Sequence, residues 1–177
     1  KSPETKSTPQ LEAAGWLVQD KDSLDLSQGI GIAYKEFRTD AGPADYGLLI
    51  NGLPVGLIEA KPENHGHRIT SVEEQSARYA DAKPKYVANS KPLLFIFEAT
   101  GAITRLTDRR DPRPRARELF HFPQPGIIKE WLEQDKSLRK KLTALPKLQT
   151  SGLYDCQIEA IEGLEKSLAE DRPRALI

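Results

Sequence analysis

Two short apolar runs, Tyr46–Ile50 and Val55–Ile58, flank Asn51-Gly52-Leu53-Pro54. Apolar runs of that length around an Asn-Gly turn signal predict a β-hairpin. The pattern repeats more loosely elsewhere. Gly29–Arg38 reads as a strand with Ile30, Ile32, Tyr34 and Phe37 inward, and Thr39–Pro43 as a turn. Pro92–Ala99 is a strong strand, Thr100-Gly101 a turn, and Ala102–Thr107 the returning strand. Helical spacing appears in four places. Thr8-Pro9 opens a short helix with Leu11, Ala14 and Val18 on one face, after a polar, disordered Lys1–Ser7. Ser71-Val72-Glu73-Glu74 is a capping box for a helix to about Asp81. Gly126–Gln134 buries Ile127, Ile128 and Trp131 or Leu132, with His121 packed between Phe120 and Phe122. Leu153–Glu170 is amphipathic, preceded by a basic helical stretch at Lys136–Lys141. Strands and helices along one chain are consistent with an α/β class.

Composition narrows the class. With 38% hydrophobic and 29% charged residues, 177 residues suffice for one real core, or one domain plus a fragment. No apolar run approaches the length of a membrane span, and no signal peptide precedes the fold. The single cysteine, Cys156, excludes an internal disulfide and fits a reducing cytoplasm. His65 and His67 lack a third ligand, so they read as loop residues. The formal net charge is zero, so any nucleic-acid contact needs local patches or neighbouring domains. The chain begins without Met and reads as a piece of something longer.

The hairpin carries the candidate chemistry. Asp45 stands at the outer end of its first strand; Glu59 and Lys61 stand at the outer end of the second and share a face. A loop of two to four residues puts Asp45 opposite Ile58, Glu59 or Ala60. Two carboxylates can hold Mg²⁺ and leave positions for water and a phosphate oxygen. A neighbouring lysine can orient the attacking water and stabilise charge on phosphorus. Charged ends that merely keep a hairpin soluble are the competing reading.

Asp45, then Glu59-x-Lys61, resembles the PD-(D/E)xK nuclease signature, with Pro43-Ala44-Asp45 in place of Pro-Asp. Nucleases of that class often draw a third carboxylate from the first helix, which makes Glu12 a candidate; an exposed helix carboxylate is its ordinary role. Gln75 and Tyr79, at i and i+4, share a helix face: either a half-buried tyrosine beside a glutamine, or a pair aimed at DNA. Arg105, Arg109, Arg110, Arg113, Arg115 and Arg117 crowd a stretch that Pro112 and Pro114 keep from being helical. Such a run is a solvated loop or a set of phosphate contacts.

The order PADYGLLINGLPVGLIEAKP, EEQSARYA, FIFEATGAITRLTD, ELFHFPQP and IIKEWL resembles the N-terminal region of the R (restriction, motor) subunit of type I restriction enzymes, over about Leu11 to Leu132. Leu153–Ile161 is similar to the adenine-reading glutamine segment of superfamily 2 helicases, and no Walker A loop occurs in the chain. The resemblance implies a restriction-endonuclease-like core (a mixed central sheet flanked by helices) over residues 1–134, a helical linker over 135–150, and the beginning of a helicase domain over 151–177, with Arg172–Ile177 starting a strand. It implies Asp45 and Glu59 as Mg²⁺ ligands, with the Ala60 carbonyl and Glu12 as further donors, and Lys61 positioning the water. Gln75 and Tyr79 would engage DNA, together with Arg109, Arg110, Arg113 and Arg115. Gln157 would contact adenine only in the full motor, where ATP binds. The implied activity is cleavage of double-stranded DNA beside methylation and specificity subunits, in a prokaryotic cytoplasm. Two other readings stay open: a non-catalytic coupling module, and the nuclease of a stand-alone helicase-nuclease.

Overall fold

The computed structural model describes residues 3–61, 92–170 and 172. The chain divides into two compact units, Lys1–Arg109 with Pro114–Glu133, and Arg110–Arg113 with Gln134–Ile177. The first holds a seven-stranded mixed sheet: β1 Leu17–Gln19, β2 Gly31–Thr39, β3 Gly42–Ile50, β4 Leu53–Ala60, β5 Phe95–Ala99, β6 Thr104–Asp108 and β7 Arg117–Leu119. Strand order in space follows the chain; β1/β2 and β4/β5 are parallel and the other neighbours antiparallel. The fold is α/β with a mixed sheet, as expected.

The hairpin turn is the shortest of the expected loops. Ile50 pairs with Leu53, so Asn51 and Gly52 alone make the turn, with φ of 49° and 75°. Positive φ at both central residues matches the twist of the flanking strands, and asparagine and glycine adopt it at the least cost. Leu53 and Pro54 therefore belong to β4. Pro54 has no N–H to give the ladder, and the register shifts beside it, from Leu48↔Gly56 to Leu49↔Pro54. Further along β4, the backbone of β5 comes close enough that a Cβ at Gly56 would lie 2.2 Å from the Phe95 carbonyl oxygen.

Alternation sorts the side chains into two apolar clusters. Helices α1 (Pro3–Ala13) and α2 (Pro125–Glu133) supply Leu11 and Ile128 to the larger, with Tyr46, Leu48, Ile58, Phe95 and Phe97 from the sheet. The other joins Phe37, Ala44, Leu57, Leu93 and Ile96. Within α2, Ile127 stays exposed while Trp131 and Leu132 both pack against the larger cluster.

Helix α1 begins before its sequence signal. Pro9 lies inside it rather than at its start, and the stretch expected to be disordered is helical from Pro3. Tertiary contacts outweigh the local signal: Ser7 and Leu11, one turn apart, are buried, and the Thr8 and Tyr46 hydroxyls are hydrogen-bonded at 2.8 Å. The helix stops at Ala13, and Val18 lies on β1. Two other expectations also differ. Ile30 is exposed because β2 starts only at Gly31. His121 and Phe120 are exposed while Phe122 alone enters the core, so no aromatic pair encloses the imidazole.

In the second unit, α3 (Leu138–Leu142) is capped by the Ser137 hydroxyl, which accepts from the Lys140 N–H at 3.2 Å. Helix α4 (Asp155–Ala169) has no fully buried residue. The strand expected at Arg172–Ile177 lies, apart from Arg172, outside the described residues. Among the described residues, no helix is long and apolar enough to cross a membrane.

Candidate active site

Register brings the hairpin charges together. The outermost pair of the β3/β4 ladder is Tyr46↔Ile58, so the next residues outward, Asp45 and Glu59, are neighbours. There the two strands part. β3 remains paired to β2 out to Thr39↔Gly42, but its pairing with β4 ends. Asp45 fills the gap: its Oδ2 accepts from the Ala60 N–H at 2.5 Å, doing for that donor what a ladder carbonyl does elsewhere. On the other side, Glu36 falls opposite Asp45, between the pairs Lys35↔Tyr46 and Phe37↔Ala44, with a φ of 52°. A left-handed conformation is uncommon for a residue other than glycine. Glu36 and Asp45 line an open cleft of about 500 Å³ with Arg38, Thr39, Pro43 and Ala44.

The other neighbour of β4 adds a residue that hairpin reasoning does not supply. The parallel register pairs Glu59 with Glu98 and Ala60 with Ala99. Lys61 continues the strand by donating its backbone N–H to the Ala99 carbonyl at 2.7 Å. Its ammonium crosses diagonally to Glu98, with Nζ 2.7 Å from Oε1. Both side chains are largely buried, 19% and 9% exposed. Glu59, Lys61 and Glu98 lie on the face that carries Leu57 and Ile96, at the end of the second apolar cluster. The register then sets Arg105 of β6 opposite Glu98, and Glu118 of β7 opposite Arg105. FIFEA reads as core in sequence; a charge inside it was the available signal for Glu98.

The remaining candidates separate. Glu12 is exposed on α1. Among the described residues, no group of three or more His, Cys, Asp or Glu side chains is placed to hold a metal ion. Asp45 and Glu59, adjacent by register, form a smaller, two-carboxylate set. It fits a cation such as Mg²⁺, which keeps several waters and takes one or two protein carboxylates. Gln75 and Tyr79 lie outside the described residues. Arg109 is tied down, its Nη1 donating to the Leu93 carbonyl at 3.1 Å. Arg110 is half-buried; Arg113 and Arg115 are exposed. Gln157 caps its own helix, its Oε1 accepting from the Tyr154 N–H at 3.0 Å.

No family model matches the chain, and no curated protein matches it. Among solved structures, a fragment assigned as an HsdR subunit of a type I restriction enzyme from Vibrio vulnificus YJ016 aligns over 100% of this chain, with a TM-score of 0.48 and 19% identity. The chain spans 34% of that protein chain. A likeness so distant carries no function across.

Proposed function

We propose that this chain carries a Mg²⁺-dependent endonuclease site for double-stranded DNA and is part of the R subunit of a type I restriction enzyme. The observation that supports the reading is the Asp45 carboxylate on the Ala60 N–H, in the Glu59-Ala60-Lys61 segment, where the β3/β4 pairing ends. Asp45 and Glu59 would hold the cation. Bound there, Mg²⁺ would lower the pKa of a coordinated water and offset charge on phosphorus. Lys61 would orient the water for attack; the water oxygen would bond to phosphorus as the bond to the leaving oxygen breaks, the water giving up a proton to solvent and the leaving oxygen taking one from solvent. The Asp45–Ala60 bond fixes the carboxylate before substrate arrives, which limits reorganisation during reaction.

The wider assignment rests on the sequence resemblance. Gln75, Tyr79 and the arginines through Arg115 would contact DNA, and Gln157 would leave its capping role to read adenine when the full protein binds ATP. Methylation and specificity subunits would be the partners, in a prokaryotic cytoplasm.

The test uses the full-length protein with its partner subunits, supercoiled DNA, Mg²⁺ and ATP. Cutting is expected to fall by roughly 100-fold or more in Asp45→Asn and Lys61→Ala while ATP hydrolysis persists. The coupling-module reading draws on one observation: Asp45 and Lys61 each already have a structural partner. ATP hydrolysis without cutting by the unaltered protein would select it.

A further inference from the structure

Lys61 is held at both ends by one strand. Its backbone N–H bonds to Ala99 of β5, and its ammonium lies 2.7 Å from Glu98 of the same strand. We propose that Glu98 is the positioning residue for the Lys61 ammonium, and through it for the attacking water; this rests on the nuclease reading above. Glu98 touches neither metal nor substrate in that scheme.

A buried ion pair is a poor way to stabilise a sheet, because desolvation offsets most of the attraction and apolar side chains in the same place do as well or better. The strand positions two residues inward show the alternative, since Leu57 and Ile96 are buried in an apolar cluster. A lysine and a glutamate at the next level of the same two strands are not needed for packing.

Lysine is a point charge on a flexible stem with three donors. One donor directed to Glu98 fixes where the nitrogen sits and leaves the others for a water and a phosphate oxygen. Without that carboxylate, the ammonium can swing on its four-carbon chain. The register explains why Glu98 can do this without competing for Glu59's role. Glu59 and Glu98 are direct parallel partners, and Lys61 reaches diagonally from one step further along β4. On the far side of Glu98, the register places Arg105, whose positive charge offsets the accumulation of carboxylates.

The experiment compares Glu98→Gln, Glu98→Asp, Lys61→Ala and the double variant Glu98→Gln/Lys61→Ala in the full-length protein with its partners. In Glu98→Gln, kcat for cutting is expected to fall by roughly 100-fold, the scale of a misplaced group, with KM for DNA unchanged. Glu98→Asp should regain part of the loss, and the double variant should be no worse than Lys61→Ala, because the two residues act as a unit. A second readout does not depend on cutting. Brief amine acetylation followed by peptide mass spectrometry should find Lys61 protected in the unaltered protein and more reactive in Glu98→Gln, with other lysines unchanged.

Normal cutting by Glu98→Gln, an effect on KM instead of kcat, or unchanged Lys61 reactivity would each overturn the proposal. Where Glu98→Gln fails to fold, Glu98→Asp is read by the same acetylation ratio: raised Lys61 reactivity supports the restraint and an unchanged ratio overturns it. If the unaltered protein does not cut, the nuclease reading fails by itself, and acetylation still decides whether Glu98 restrains Lys61.

Discussion

Asp45 has two tasks on one carboxylate. Oδ2 closes the ladder at Ala60, and the proposed metal needs the negative charge. The choice of substitution therefore matters. Asp45→Ala leaves the Ala60 N–H without its partner, at a cost of about 1–3 kcal/mol if water cannot replace it. Asp45→Asn keeps an oxygen acceptor and removes the charge. Both should stop cutting, but only Asp45→Ala should also lower the melting temperature appreciably; a calorimetric comparison of the two checks this. A second residue-scale prediction concerns Asp25. The Ser27 hydroxyl and backbone N–H donate to its Oδ1 at 2.6 and 2.9 Å, which holds the carboxyl below its usual pKa. Because the folded value is depressed, the turn gains from the ionised form above the ordinary carboxylate pKa, and that gain is lost as pH falls through the lowered value. In an NMR titration, Asp25 should ionise below the ordinary aspartate value, and Ser27→Ala should raise its midpoint part of the way back.

At the scale of elements, the β4/β5 contact is the most sensitive joint. Gly56 has no room for a side chain: an added Cβ would lie 2.2 Å from the Phe95 carbonyl oxygen, a backbone atom that cannot turn aside. Gly56→Ala is expected to cost about 1–3 kcal/mol, as overpacking does, measured as a lower urea midpoint with little change in slope. The contrast between this joint and the hairpin shows what the sequence makes legible. Asp45 and Glu59 are separated by a single turn, so apolar runs and an Asn-Gly pair were enough to bring them together. Glu98 reaches the same place through a parallel pairing across thirty-odd intervening residues, and no local periodicity specifies which strand lies beside β4. The sequence leaves the loop at two to four residues and so leaves Pro54 open; it lies on β4 because the register shift beside it removes the need for its missing N–H. Pro9 misled: the burial of Ser7 and Leu11 against the sheet sustains the helix on both sides of it. Glu36 reads in sequence as facing the site or, more simply, water; it is exposed, and its left-handed φ has no composition cue.

At the scale of the molecule, the two units differ in how their residues are buried. The sheet unit holds both apolar clusters, while α4 has no fully buried residue. Local stability follows buried contacts and protected hydrogen bonds. Amide hydrogen exchange should therefore be slowest at Leu48, Leu57 and Phe97 and much faster along α4. Equal protection in both would show that the second unit is stabilised by something other than its own packing. The protein's two tryptophans, Trp16 and Trp131, both lie in the sheet unit, and the indole N–H of Trp16 donates to the Pro123 carbonyl at 2.9 Å within the core. Selectively excited tryptophan fluorescence thus reports on that unit and is silent about the other. The single cysteine, Cys156, is exposed on α4. A thiol-reactive dye placed there gives the second unit a colour of its own, so the unfolding of each can be watched in one cuvette without altering a residue.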